Sequence, residues 1–276
     1  MGRKEHDRDE KHSRRDRRKK KGGIISTVIL IVAICVFAFS AFQLYKIFNG
    51  YHKGESEYDD LVKLAVTEDK GEQENGTDDQ DGSRFSVDFD ALRQINPDVV
   101  AWIRFDEPAV INYPVVQGSD NSEYLSKTFK GYDNTVGTIF VNAYNHADFN
   151  DRNTIIYGHY MYNGTMFNEL EQYHEKSFRE KYPYFYIYTP DGKTRTYTVF
   201  SAAVVKDTAD QYNLNYATDE AFESYLKMCK EDSAYDTGTE VNAQSQIVSL
   251  STCTNVREDE RFLLQGVLTA TDGGEN

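Results

Sequence analysis

Cysteine is scarce in this chain: Cys35, Cys229 and Cys253 are the three among 276 residues. Three cysteines cannot staple a disulfide scaffold. No Cys-x-x-Cys pair and no Cys/His cluster has zinc spacing, so no metal is expected. Glycine-rich phosphate-cradling motifs are missing too, so no nucleotide or other cofactor is expected. Positive charge is sparse outside one segment. The chain carries 31 Lys+Arg against 45 Asp+Glu, a formal net charge of −14. Residues 1–23 hold eleven Lys/Arg and five Asp/Glu, which leaves twenty basic and forty acidic residues for the remainder. An acidic body of that kind repels phosphate, which argues against nucleic-acid binding.

Charge is wholly missing from Ile24 to Tyr45. At 1.5 Å per residue that stretch makes a helix of about 33 Å, enough to cross a hydrocarbon layer of about 30 Å. The apolar region of a cleaved signal peptide is shorter, about 7–15 residues. An uncleaved transmembrane helix is therefore expected over 24–45. Arg14, Arg15, Arg17, Arg18, Lys19, Lys20 and Lys21 stand directly before it. The positive-inside bias then puts 1–23 in the cytoplasm as a basic arm and the body outside, a single-pass arrangement in the cell membrane. From Gly54 to Gly82 the chain is rich in Asp, Glu, Gly and Gln. Such a composition buries too little apolar surface to offset its ordering entropy. Residues 46–82 are read as a juxtamembrane segment and acidic linker. Tyr58, Leu61, Leu64 and Val66 prolong a helix in its first half, and Thr67–Gly82 forms a flexible tether.

From Ser83 to Asn276 the composition turns to Tyr, Phe, Val and Ile punctuated by Gly and Asn. A length near 200 residues suits one external domain. Thr138–Asn142, Asn153–Tyr157, Tyr184–Thr189, Arg195–Lys206, Gln246–Thr252 and Arg261–Thr269 have strand composition. Fewer segments read as helix: Phe89–Ile95 after Asp88, Asn121–Phe129, and Thr218–Asp232. In the last, Thr218 is the N-cap and Ala221, Phe222, Tyr225, Leu226 and Cys229 keep helical spacing. Many short strands with few helices predict a mainly β domain, a closed or nearly closed barrel with peripheral helices.

Few residues in that domain can carry nucleophilic chemistry. Cys229 lies on the apolar face of its helix and reads as a buried hydrophobe. Cys253 ends the apolar run Ile247-Val248-Ser249-Leu250 and leads into the polar loop Asn255–Glu260. A strand end of this kind presents a nucleophile well. A Cys229–Cys253 disulfide, or an inert Cys253 in a non-catalytic surface adhesin, remains open at this stage. Of the domain's histidines, His146 and His174 sit in polar loops, while His159 follows the strand-like Thr154–Tyr157 and Gly158. A thiol nucleophile needs a proton partner and a donor for the developing oxyanion. His159 suits the first role. Arg261, at the head of Phe262-Leu263-Leu264, suits the second better than Arg257 among its acidic neighbours.

Leu250-Ser251-Thr252-Cys253 followed by Arg261 resembles the nucleophile segment of sortases, and Tyr157-Gly158-His159 with Met166-Phe167 resembles the histidine segment of their class B. Further matching stretches are Ile95–Ile103, Tyr113–Gln117, Asp120-Asn121 with Tyr124-Leu125, and Gly137–Phe140. The resemblance runs from about Phe89 to Leu268. It implies an eight-stranded sortase β-barrel with an N-terminal helical extension, preceded here by one transmembrane helix. It also implies a membrane-bound cysteine transpeptidase. Such an enzyme cleaves secreted proteins after Thr in a C-terminal sorting motif (NPxTN-like) and transfers them, through a thioacyl-enzyme, to an amine of the peptidoglycan precursor. A pilin-polymerising sortase and a surface cysteine peptidase using water are the alternatives. Carried over, Cys253 is the nucleophile, His159 the general acid/base and Arg261 the oxyanion and substrate stabiliser. Asn121, Leu125, Ser251, Thr208 and Tyr212 match substrate-groove positions.

Overall fold

The computed structural model describes residues 3–69, 84–106 and 108–273. The elements in chain order are α1 (Arg3–Ala65), β1 (Val66–Asp69), β2 (Arg84–Val87), α2 (Phe89–Ile95), β3 (Val99–Arg104), β4 (Asn112–Val116), β5 (Ile139–Val141) and β6 (Asn153–Tyr157). They continue with α3 (Lys176–Lys181), β7 (Tyr184–Tyr188), β8 (Lys193–Lys206), α4 (Asp219–Asp232), β9 (Ile247–Cys253) and β10 (Glu260–Gly273). Short 3-10 turns cover Glu123–Leu125, Asn168–His174 and Asp210–Tyr212.

The chain divides into two compact units, residues 1–50 and 51–276. The first is helical, and from Ser26 onward α1 is long and apolar enough to span a membrane. Its apolar side chains, such as Phe37 and Phe48, are exposed.

In the second unit eight strands close a barrel in the order β10-β8-β7-β3-β4-β5-β6-β9. The β4–β5 and β6–β9 pairs are parallel and the others antiparallel. The observed barrel agrees with the expected mainly β class. Strand alternation fills it: Val248 and Leu250 of β9 and Phe262 and Leu264 of β10 join the main core with Trp102, Phe140 and Phe185. The opposite face of β9 and β10 is covered by α4. There Phe222, Leu226 and Cys229 pack on Ile247, Phe200 and Val267. Helix α4 starts where expected, because the Thr218 side chain accepts the Ala221 N–H at 3.2 Å. The same holds for α2, where Asp88 accepts the Ala91 N–H at 2.9 Å.

Two expectations are corrected. Asn121–Phe129 is not an α-helix. Only Glu123–Leu125 turns, as a 3-10 element, because Asp120 takes the N–H groups of Ser122 and Glu123 into a local turn. The compact unit also begins at Tyr51, not at Ser83. The end of α1 buries Tyr58, Leu61 and Ala65 in the main core. Thr67–Asp69, expected in the tether, instead belong to β1, which pairs antiparallel with β2. The remainder of the expected tether, 70–82, lies outside the described residues.

Candidate active site

The three residues expected to carry the chemistry lie at the ends of three neighbouring strands, β6, β9 and β10. β9 and β10 are antiparallel with Cys253 directly opposite Arg261. On the other side β6 runs parallel to β9 with Tyr157 opposite Ser251, and the Gly158 N–H extends that ladder to the Ser251 carbonyl at 3.1 Å. His159 follows Gly158 directly, just past the end of β6, as Cys253 ends the neighbouring β9. The cysteine strand is thus the middle one, with the strand leading into histidine on one flank and the arginine strand on the other. Cys253 and Arg261 share the strand face of Ser251, since side chains repeat every second residue.

His159 is held by the loop in front of it. Its Nε2 lies 2.6 Å from the Leu125 carbonyl. A carbonyl only accepts, so Nε2 carries the proton and Nδ1 is the nitrogen left for chemistry. Two glycines allow this geometry. Gly137 has φ +63°, and a Cβ there would meet the Tyr124 and Leu125 carbonyls at 2.7 and 2.9 Å and the His159 ring at 3.0 Å. At Gly158 a Cβ would sit 2.6 Å from the Phe167 ring. Beneath the loop, the Tyr58 hydroxyl from α1 donates to the Gly137 carbonyl, and the Glu57 carboxylate accepts the Lys130 N–H at 2.8 Å.

Arg261 is anchored at the opposite flank. Nη1 donates to the Glu258 and Glu260 carbonyls at 2.7 and 2.9 Å, and Nη2 lies 3.5 Å from the Asp207 carboxylate. Among the described residues Nε and the second N–H of Nη2 stay uncommitted. Arg257 behaves as its acidic surroundings suggested: it is largely exposed and pairs with Glu260 at 3.4 Å. The cysteines are free, so the Cys229–Cys253 disulfide does not form. Cys229 is 1% exposed, and burial pushes its thiol up to about 11. Cys253 is half-buried.

The expected groove residues separate into distinct roles. Ser251 and Tyr212 share a hydrogen bond of 2.7 Å, and Tyr212 stacks on Tyr157 with ring centres 6.4 Å apart. Burial pushes the Tyr212 phenol up to about 12, so it stays protonated and able to donate. Asn121 gives its side-chain carbonyl to the Ala143 N–H at 2.7 Å. Asn121 and Tyr212 both line an open cleft of about 580 Å³ with Asn142, Tyr144, His146 and Asn215. Leu125 contributes its backbone carbonyl to His159, a role that no side-chain pattern shows. Thr208 lies exposed in the turn after β8, outside that cleft. A second, smaller cavity reaches Cys253 itself, and its residues Tyr160, Glu171, His174 and Phe262 were missed by sequence reasoning. They come from a loop and a strand more than eighty positions apart, with no local signal to join them. No cluster of potential metal ligands occurs among the described residues.

Comparison with known proteins agrees with this geometry. A family model described as a sortase domain matches residues 106–269. Sortase B of Listeria monocytogenes is 31% identical over 245 residues, 87% of this chain and 95% of that protein. Sortase B of Staphylococcus aureus is 30% identical over 236 residues, 86% and 91% of the two chains. The crystal structure of Bacillus anthracis sortase B in complex with AAEK1 superposes with a TM-score of 0.67 at 30% identity, covering 81% of this chain and 99% of that one. With a cysteine, a histidine and an arginine at adjoining strand ends of a closed eight-stranded barrel, the chain belongs to the sortase family of cysteine transpeptidases, in its class B.

Proposed function

We propose that this chain cleaves a C-terminal sorting motif after Thr and transfers the acyl half to a peptidoglycan-precursor amine. The observation that carries the reading is the pairing of three strands, with Cys253 opposite Arg261 at the ends of β9 and β10, and with β6, which leads into His159, on the other side of β9. The Cys253 thiol passes its proton to Nδ1 of His159, and the sulfur attacks the Thr carbonyl. Arg261, with N–H donors uncommitted, stabilises the oxyanion. Nδ1 of His159 delivers a proton to the leaving amine, and a thioacyl-enzyme remains. An acceptor amine then attacks, a C–N bond replaces the C–S bond, and the sulfur departs with its electron pair. The acyl peptide lies along the face of Ser251, Tyr212, Asn121 and Leu125. Thr208 stands at its rim.

The helix over 24–45 anchors the enzyme, with 1–23 cytoplasmic and the barrel outside, where secreted substrates and wall precursors are found. The basic arm directly before the helix supports that orientation. The test is incubation of the full chain in detergent micelles with a panel of sorting-motif peptides, followed by mass spectrometry. An acyl adduct on Cys253, absent in Cys253→Ala, with amide product appearing only when an amine is added, is the expected result. Free acid at equal yield with and without amine would make the enzyme a peptidase instead.

A further inference from the structure

The strand face that carries Ser251 and Tyr212 is not the only one open at Cys253. Thr252 and Phe262 are register partners that point the other way, and Val204 of β8 is the next partner of Phe262. Together with Tyr160, Glu171 and His174 they line a cavity of about 160 Å³ that includes Cys253. That volume is room for about five waters or the end of one aliphatic chain.

Three observations give the cavity its chemistry. Thr252 is 3% exposed, and its hydroxyl has no hydrogen-bond partner among the described residues. A buried hydroxyl left in that state costs free energy unless a ligand completes it. The carboxylates at the rim are unequal. Glu260 already pairs with Arg257, whereas Glu171 takes a hydrogen bond from the Tyr160 hydroxyl and makes no ion pair among the described residues. The apolar part of the wall is Phe262, Val204 and Val256, and the His174 imidazole lies with its ring centre 4.3 Å from that of Phe262.

We infer that this cavity is the acceptor subsite, taking an aliphatic primary amine that enters as its ammonium ion. The inference rests on the thioacyl reading above and names the site of its second substrate. Glu171 draws the cation in, Phe262 and Val204 pack its stem, and Thr252 supplies a hydrogen bond. The ammonium gives one proton to His174 at the rim. The free amine then attacks the thioacyl carbonyl from the side opposite the acyl peptide. The new C–N bond forms, the C–S bond breaks, the second amine proton passes to His159, and Cys253 leaves as thiolate.

The test separates the two half-reactions. The full chain in micelles is acylated with a sorting peptide ending in Thr as the thioester of a small thiol, so no residue beyond the scissile bond enters the cavity. Nα-acetyl-lysine amide and hydroxylamine are offered as acceptors, and amide, hydroxamate and acid products are quantified by mass spectrometry. Loss of one hydrogen bond or charge contact predicts that Glu171→Gln and Thr252→Val lower the ratio of lysine aminolysis to hydrolysis by about fivefold or more. The hydroxylamine ratio, from an acceptor too small to use the cavity, moves by less than about twofold, given that the same hydrogen-bond scale is not engaged. Thr252→Val keeps or raises the melting temperature, since it removes an unpaired buried hydroxyl, so unfolding cannot mimic the effect. Glu180→Gln on α3, outside the cavity, serves as the surface control. Lysine ratios near wild type in both variants overturn the inference, as does an equal fall for both acceptors. A wild-type chain that takes no acyl group onto Cys253 refutes the cysteine chemistry itself.

Discussion

Where the folded unit begins has a measurable consequence. A fragment starting at residue 83 contains every strand of the barrel, yet it lacks the last turns of α1 and β1. In the full chain that segment buries Tyr58 (3% exposed), Leu61 (1%) and Ala65 (2%) against the core. It also donates the Tyr58 hydroxyl to the Gly137 carbonyl and pairs β1 with β2. Deleting the Leu61 side chain alone, as Leu61→Ala, removes a fully buried aliphatic group and costs about 2–5 kcal/mol. For a domain of this size each kcal/mol moves the melting temperature by about 2–4 °C, so Leu61→Ala lowers it by about 6–12 °C for a cost near 3 kcal/mol. Removing the whole segment costs at least as much, against a total stability of about 5–15 kcal/mol. The assay is calorimetry and circular dichroism on fragments 51–276 and 83–276, with Leu61→Ala in the longer one. The fragment from 83 is expected to melt well below the fragment from 51 and to lose peptide cleavage first, because the Gly137 turn beneath His159 loses its support. Melting of the two fragments within about 3 °C of each other, a shift worth roughly 1 kcal/mol, would refute the argument that the helix end is part of the core.

Arg261→Ala is expected to lower kcat/KM on a sorting peptide by about 10²–10³, the usual cost of one oxyanion donor. Arg261→Lys recovers little because lysine lacks the planar fork, and Arg257→Ala stays within a few-fold (about fivefold) of wild type, as surface charges do. Gly137→Ala places a Cβ 2.9 Å from the Leu125 carbonyl that orients His159. It costs about 1–2 kcal/mol for the left-handed backbone alone, and it depresses kcat more than stability explains when both are measured at 25 °C. In the folded protein a maleimide labels Cys253 and spares buried Cys229. The Cys229 thiol is raised from an ordinary 9.0 to about 11 by burial. Its stabilising contribution is therefore present below pH 9 and lost as pH rises through 11, and Cys229→Ala loses less stability than wild type across that window in denaturant titrations.

Much of this protein was legible without coordinates, and the reason is local. The uncharged run Ile24–Tyr45 needs only its own length to qualify as a membrane span. The helices opened by Asp88 and Thr218 need only a capping side chain three residues before the N–H it accepts. β6 reads directly from Asn153–Tyr157, and alternation identified β8 from Arg195, two residues inside its observed start. Cys253, His159 and Arg261 stand out as candidates because nucleophiles and their partners are few and each sits at or just past a strand end.

Tertiary structure decided everything that depends on which strands are neighbours. Two parallel pairings, β4 with β5 and β6 with β9, bring together segments that composition cannot match, and the second places the strand that leads into His159 next to the strand that ends at Cys253. A backbone carbonyl at Leu125 chooses the histidine tautomer, and a carbonyl has no signature in a side-chain pattern. Asn121–Phe129 has helical composition, but Asp120 competes for its first N–H groups and turns the chain locally. The acidic composition around residues 54–69 reads as linker, yet Tyr58, Leu61 and Ala65 are buried there, because the core that covers them is supplied by residues from Phe85 onward. Composition averages over a segment, whereas burial is settled residue by residue by what folds against it.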